Sequence, residues 1–185
     1  VEGPVNLVRL MAVPDMVDRP ELKFPPYTAS TPTYLSNGRS VIQAAAKQDI
    51  LLHHPYQSFE PIVQFIREAA HDPDVVAIKM TIYRTGSNSE LVRELMAAAL
   101  AGKQITVVVE LMARFDEANN ANWAQYLEDA GAHVVYGVYG YKVHAKMALV
   151  VRREQGNLKR YAHLGTGNYH QGNSRIYTDF GLITA

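Results

Sequence analysis

From about residue 36 to residue 136 the chain alternates short apolar runs with amphipathic ones, and this alternation constrains the fold more than any other feature. A short helical run, Ser40 to Gln48, leads to the apolar strand Ile50-Leu51-Leu52. Ser58 is placed to cap a helix through about His71, with Phe59, Ile62, Val63 and Ile66 at helical spacing. Val75 to Met80 is the next strand, and Asn88 to Leu100 is an amphipathic helix stopped by Gly102. Ile105 to Leu111 is a strand, Glu117 to Ala130 a helix stopped by Gly131, and His133 to Tyr136 a strand. Such alternation with short connections predicts a mainly parallel sheet covered by helices. After Gly140 the helices stop. His144 to Val151 reads as a strand, Arg152 to Leu158 as a turn, and Arg160 to Leu164 as an antiparallel partner. Ile176 to Thr184 reads as one more strand, so the expected fold class is α/β, a mixed sheet flanked by helices.

Prolines divide the chain. Six of the nine fall before residue 33, where periodicity is weak, so residues 1–35 read as a proline-rich linker or the tail of a preceding domain. Residues 36–185 read as the folded domain, and a chain that is 48% hydrophobic can bury a real core. Eighteen basic residues balance eighteen acidic ones, so any anion site must be a local arrangement. Cysteine is absent, which excludes disulfides, thiolate metal sites and a cysteine nucleophile and fits a cytoplasmic protein. No apolar run reaches membrane-spanning length, so a transmembrane segment is not expected; attachment would be at most peripheral. The chain starts on Val1 and ends on Gly181-Leu182-Ile183-Thr184-Ala185, which reads as a strand cut in mid-course, so a fragment of something longer is expected.

In open α/β sheets, ligand groups gather beyond the carboxyl ends of the strands. There the sequence places His53-His54-Pro55-Tyr56, Tyr83-Arg84-Thr85-Gly86 and Ala113-Arg114-Phe115-Asp116. Arg84 and Arg114 just past strand ends can form bidentate bonds to phosphate oxygens, or can pair with a carboxylate such as Asp116 or Glu110. In Lys142-Val143-His144-Ala145-Lys146 the histidine and Lys146 stand two apart at the start of a strand, so their side chains leave on one face. A nucleophilic imidazole must be neutral, and a fixed ammonium beside it offsets the charge of the phosphoryl group it attacks. Gly165-Thr166-Gly167-Asn168 lies where the partner of the histidine strand ends. Glycines there permit positive φ and close backbone approach, while Thr166 and Asn168 add polar contacts. His53 and His54 read as structural, and Trp123 and Tyr126 as packing residues of a helix. His163 and His170 flank the glycine loop without a further role.

His-x-Lys followed some twenty residues later by Gly-Thr-Gly-Asn resembles the signature of the phospholipase D superfamily, whose histidine is the covalent nucleophile. That signature has an aspartate where this chain has Val151, which counts against a phosphodiesterase. The fuller resemblance is to the polyphosphate kinase family of phospholipase D-like type. It rests on the segments above together with Ile82-Tyr83-Arg84, Val150-Val151-Arg152-Arg153-Glu154, Tyr177-Thr178-Asp179-Phe180-Gly181 and Phe24-Pro25-Pro26-Tyr27. The resemblance implies a phospholipase D-like half-domain and reversible transfer of the terminal phosphate of ATP to polyphosphate. It implies a phosphohistidine at His144, with Lys146 beside it. Arg84 and Arg114 match arginines associated with a magnesium and phosphate site. A guanidinium has no lone pair for a metal, so both are expected to clamp phosphate beside Mg2+, whose own ligands are phosphate oxygens and water. Tyr177 matches a nucleotide-site tyrosine able to stack on a base; the other reading is a core aromatic on the last strand.

In the superfamily that the chain resembles, the active site forms between two such halves, each supplying a histidine; one His-x-Lys and one glycine loop then imply half a site, with the second histidine and most of the ATP pocket expected outside this chain. The expected partners are ATP, ADP and polyphosphate, further domains of a longer chain, and a second copy in a homo-oligomer. Nucleic acid is not among them, because neutral net charge argues against broad backbone binding. The rival functions are a phosphodiesterase or nuclease of the same superfamily, and a polyphosphate-binding module without catalysis.

Overall fold

Seven strands form one mixed sheet in a computed structural model that describes residues 3, 6–25, 27–36, 38–84, 89–110 and 117–185. Before the sheet, the chain makes only short turns of helix, including α1 (Val13–Met16), and no residue between 6 and 25 is buried. From residue 41 the elements run α2 (Val41–Ala45), β1 (Ile50–His54), α3 (Glu60–His71), β2 (Val75–Ile82), α4 (Glu90–Leu100) and β3 (Gln104–Val109). They continue with α5 (Glu117–Asp129), β4 (His133–Tyr136), β5 (Lys146–Glu154), β6 (Asn157–Gly165) and β7 (Asp179–Thr184).

The sheet order is β1-β7-β6-β5-β2-β3-β4. Only β2-β3 and β3-β4 are parallel, and the remaining four pairings are antiparallel. The alternation up to residue 136 thus predicts the parallel third of the sheet, and the antiparallel partner expected for the histidine strand is found in β6, but the sheet is not mainly parallel. The difference lies with β1, which does not lie beside β2 but at the far edge against β7.

Local chemistry explains the helices. Ser40 and Ser89 each accept a backbone N–H at a helix start, from Gln43 and Val92 respectively. Ser58 accepts from Glu60 N, so its helix begins at Glu60. Gly102 and Gly131 end α4 and α5 at φ of 84° and 92°, as a left-handed cap requires. The apolar stripes meet in one core: Ile62, Phe65 and Ile66 of α3 and Leu91, Val92 and Leu95 of α4 are buried with Ile78, Val107 and Val150 of the strands. On the alternate positions of the strands, Leu51, Leu164 and Met147 remain exposed, and Leu51↔Leu182, Leu182↔Leu164 and Leu164↔Met147 are cross-strand neighbours. They form an apolar row across four strands.

Three differences in strand boundaries from the sequence reading bear on the site and its hairpin. The histidine strand starts at Lys146, because Thr81 Oγ1 donates to Ala145 O at 2.6 Å and accepts from Met147 N at 3.1 Å, leaving His144 just ahead of the ladder. Residues 152–158 are not a broad turn. Arg152 pairs with Asp72, Asp74 and Glu154, which extends β5 to Glu154 and tightens the turn to Gln155-Gly156. The last strand starts at Asp179, so Tyr177 lies in a loop.

Candidate active site

Antiparallel pairing brings the start of β5 to the carboxyl end of β2, and the end of β6 to the start of β7. Lys146 is paired with Gly165, Gly165 with Gly181, and His54 with Asp179. One cleft of about 240 Å³ opens at this junction, lined among others by Arg84, His144, Lys146, Gly165, Asn168 and Tyr177. Thr166, Gly167 and Asp179 also line it. Residues far apart in sequence therefore share one site; Arg114 lies outside the described residues.

His144 is exposed, and its Nε2 stands 3.0 Å from Lys146 Nζ. An ammonium can only donate, so Nε2 holds the lone pair and the ring proton of the neutral imidazole sits on Nδ1. Partial burial, then the charges of Lys146, Lys142 and Arg84, hold the His144 pKa below the ordinary histidine range. Lys146 is 5% exposed, and burial, with Arg84 adding to it, lowers its pKa while Asp179 opposes the shift. Tyr83 packs edge-on against the His144 ring at 5.0 Å between centroids. Lys146 Nζ, Arg84 Cζ and Lys142 Nζ stand 5.0, 5.5 and 5.7 Å from the Tyr83 ring centre.

The backbone leading to His144 is braced from behind. The buried Glu110, just past β3, accepts Val143 N at 2.8 Å. Asn120 of α5, fully buried, donates to the carbonyls of Tyr83 and Glu110 at 2.8 and 2.9 Å, tying the ends of β2 and β3 together. Asn120 does not stand out in the sequence, because a lone asparagine in a helix carries no chemical signal, and Glu110 is marked there only as a possible partner for an arginine.

The glycine loop works differently from its sequence reading. Gly165 and Gly167 are not among the positive-φ glycines. They provide room instead: a Cβ on Gly165 would come within 3.0 Å of the His163 ring, and one on Gly167 within 2.5 Å of Asp179 Oδ2. The Thr166 hydroxyl donates to Asp179 Oδ1 at 2.8 Å and accepts Phe180 N at 2.9 Å, so it anchors the loop to β7 and is not left free for a ligand. Among the described residues, Asn168 Oδ1 and Arg84 Nε are buried without a hydrogen-bond partner. Tyr177, 60% exposed at the cleft, is no core aromatic.

Behind the loop His163 is buried, its Nδ1 is 2.7 Å from the Tyr169 hydroxyl, and burial lowers its pKa to about 3. His54, also buried with Nδ1 on Gln57 O, is shifted the same way. Both imidazoles are therefore neutral in the fold, while the unfolded chain protonates them near pH 6.5. For His163 the stability is complete above that pH and falls as pH drops toward about 3, by about 1.4 kcal/mol per pH unit, and His54 adds a loss in the same direction. Urea unfolding of the 185-residue chain between pH 7 and pH 5 should show this loss; a flat profile would contradict the buried neutral state.

The described residues contain no group of three His, Asp or Glu able to hold a metal, and among them Asp179 is the single carboxylate lining the cleft. The permanent cations of the lining are Arg84 and Lys146. Arg84 Nε, unpartnered among the described residues, fits an anion, and a Mg2+ here would be held by that anion's oxygens rather than by these donors.

Comparison with known proteins follows the same line. Polyphosphate kinase from Neisseria meningitidis serogroup C is 75% identical over 185 residues, and that of Burkholderia lata 61% over 189. The match takes in all of this chain but 27% and 28% of those proteins, so the chain spans little more than a quarter of their length. The crystal structure of polyphosphate kinase from Porphyromonas gingivalis matches 90% of the chain and 28% of its own with a TM-score of 0.76 at 38% identity. Nuc from Salmonella typhimurium, a phospholipase D family member, shares the fold with a TM-score of 0.55 at 15% identity, over 74% of this chain and 81% of its own. The family model of polyphosphate kinase C-terminal domain 1 matches residues 40–185. With that match covering most of its length, the chain belongs to the polyphosphate kinase family.

Proposed function

We propose that this domain supplies the nucleophile of reversible phosphoryl transfer between ATP and polyphosphate. The observation that carries the reading is the Lys146 ammonium 3.0 Å from His144 Nε2, which fixes a neutral imidazole with its lone pair on the nitrogen facing a cation. The Nε2 lone pair attacks the γ-phosphorus of ATP. The bond from that phosphorus to the bridging oxygen breaks, and its electron pair leaves with ADP. Nδ1 keeps its proton, and Lys146 moves its hydrogen bond from Nε2 to a phosphoryl oxygen. A terminal oxygen of polyphosphate then takes the phosphoryl group by the reverse displacement.

Arg84 clamps phosphate oxygens at the mouth of the cleft, a role Arg114 shares on the strength of its match to the family. Asn168 adds its unpaired carboxamide oxygen to the polar lining, Gly165 leaves the floor open, and Tyr177 offers an exposed ring for the base. Mg2+ bound with the nucleotide neutralises phosphate charge. The partners in this reading are ATP, ADP and polyphosphate, further domains of a longer chain, and a second copy. The exposed apolar row of Leu51, Leu164 and Met147 supports cover by protein. None of the described helices is long and apolar enough to cross a membrane, and a cytoplasmic setting, where ATP is supplied, accords with the absence of cysteine.

The test is incubation of a full-length polyphosphate kinase carrying this domain with γ-labelled ATP. Retained acid-labile label and labelled polymer are expected. Cleavage of phosphodiesters without retained label would assign the site to the rival chemistry, and neither reaction would leave a binding module.

A further inference from the structure

We propose that Tyr83 is a positioning residue whose aromatic ring, rather than its hydroxyl, gathers Lys146, Arg84 and Lys142 around His144 and holds the nucleophile's ring in place. The proposal rests on the reading of His144 as the nucleophile. Three cationic side chains converge on one imidazole here. Among the described residues, no carboxylate lies within ion-pair distance of any of the three. Like charges so placed repel, and something other than ion pairing must hold them. The negative face of an aromatic ring attracts each of them, and Tyr83 is the ring all three approach, at 5.0 to 5.7 Å.

The same ring packs edge-on to His144, with 73° between the planes. The hydroxyl takes part in no hydrogen bond among the described residues, so the ring is the part in use. It is itself well anchored. The fully buried Ile82 precedes it on β2, and the buried Asn120 holds its carbonyl at 2.8 Å. The charges facing His144 are Lys142 and Lys146 from its own segment and Arg84 from the end of β2. Asp179 at the start of β7 acts through Lys146, and Glu110 past β3 holds the Val143 amide. With the ring removed, the cations spread and the imidazole gains rotational freedom. Attack then starts from a less populated geometry.

Tyr83→Leu and Tyr83→Phe in a full-length polyphosphate kinase carrying this domain separate the ring from the hydroxyl. Single-turnover labelling by γ-labelled ATP should slow by roughly tenfold to a hundredfold in Tyr83→Leu, with the ATP KM changing less. Tyr83→Phe should restore the rate to within about twofold of the original, because the quadrupole survives without the hydroxyl. In Tyr83→Leu the acidic limb of the pH–rate profile should move up, as His144 is relieved of neighbouring positive charge. A histidine ring titration followed by NMR without nucleotide reads the same shift independently of chemistry. Equal damage by Phe and Leu, or a Tyr83→Leu protein with lowered melting temperature but an unmoved acidic limb and His144 titration, overturns the proposal. If the unaltered enzyme carries no label on His144, the nucleophile reading fails, while the NMR titration still decides whether Tyr83 organises the cluster.

Discussion

Replacing His144 by alanine in a full-length polyphosphate kinase carrying this domain should abolish polymer synthesis and protein labelling together. A covalent intermediate has no substitute once its nucleophile is gone, and losses of about 10⁴-fold or more are typical of such a removal. The structure also says why no neighbour should step in. His54 and His163 line the same cleft but are 3% and 2% exposed, and a phosphoryl group on either would have to be buried within the core. His170 is committed to its own turn, its Nδ1 accepting from Gly172 N at 3.1 Å and Asn173 N at 3.2 Å. His144 alone among these is exposed and bonded to a cation. Mapping the labelled peptide after γ-labelled ATP checks the claim. Label retained by the alanine variant on another histidine would show that the nucleophile has been misassigned.

What the sequence could and could not tell follows from what each signal encodes. The run from Val75 to Tyr136 was legible because parallel β/α units announce themselves locally, through apolar period and through Gly102 and Gly131 in left-handed caps. The neighbour of β1 was not, because strand partners far apart in sequence leave no periodic trace. Its position against β7 is set by pairings such as Leu52↔Gly181. The charged stretch Arg152-Arg153-Glu154 looked like a turn only because the partners of Arg152, Asp72 and Asp74, lie some eighty residues earlier. His144 and Lys146 were legible as a pair from a spacing of two. That His144 stands just ahead of the ladder while Lys146 opens it depends on Thr81 capturing the Ala145 carbonyl, which no motif records.

The glycines show a subtler limit. Sequence alone marks a glycine as special but not whether it serves φ or space. At Gly165 and Gly167 it is space, for the ring of His163 and the carboxylate of Asp179. Tyr83 and Asp179 stood inside motifs already singled out, beside Arg84 and Tyr177. Their own contribution becomes visible only when side-chain contacts are drawn.

Arg84→Ala should cut kcat/KM on the order of a hundredfold or more, which corresponds to about 2.7 kcal/mol of lost transition-state stabilisation. The reason lies in what Arg84 lacks. No carboxylate of a described residue is within ion-pair distance of it, its Nε is buried without a partner among those residues, and its guanidinium stands over Tyr83 in the lining of the cleft. A cation held in this way gains its partner when an anion binds, and gains most when charge spreads over the equatorial oxygens of the transferring phosphoryl. Arg84→Lys should rescue only in part, since a point charge cannot reproduce a planar fork. Arg114→Ala is expected to act in the same direction, from its match to the family's paired arginine. Melting temperature separates the two readings of Arg84. An arginine serving the fold through an ion pair would lower stability when removed, whereas removal of a charge crowded by Lys142 and Lys146 should leave stability level or raise it. An Arg84→Ala enzyme with near-native turnover and a clearly lowered melting temperature would move this residue from the phosphate site to the scaffold.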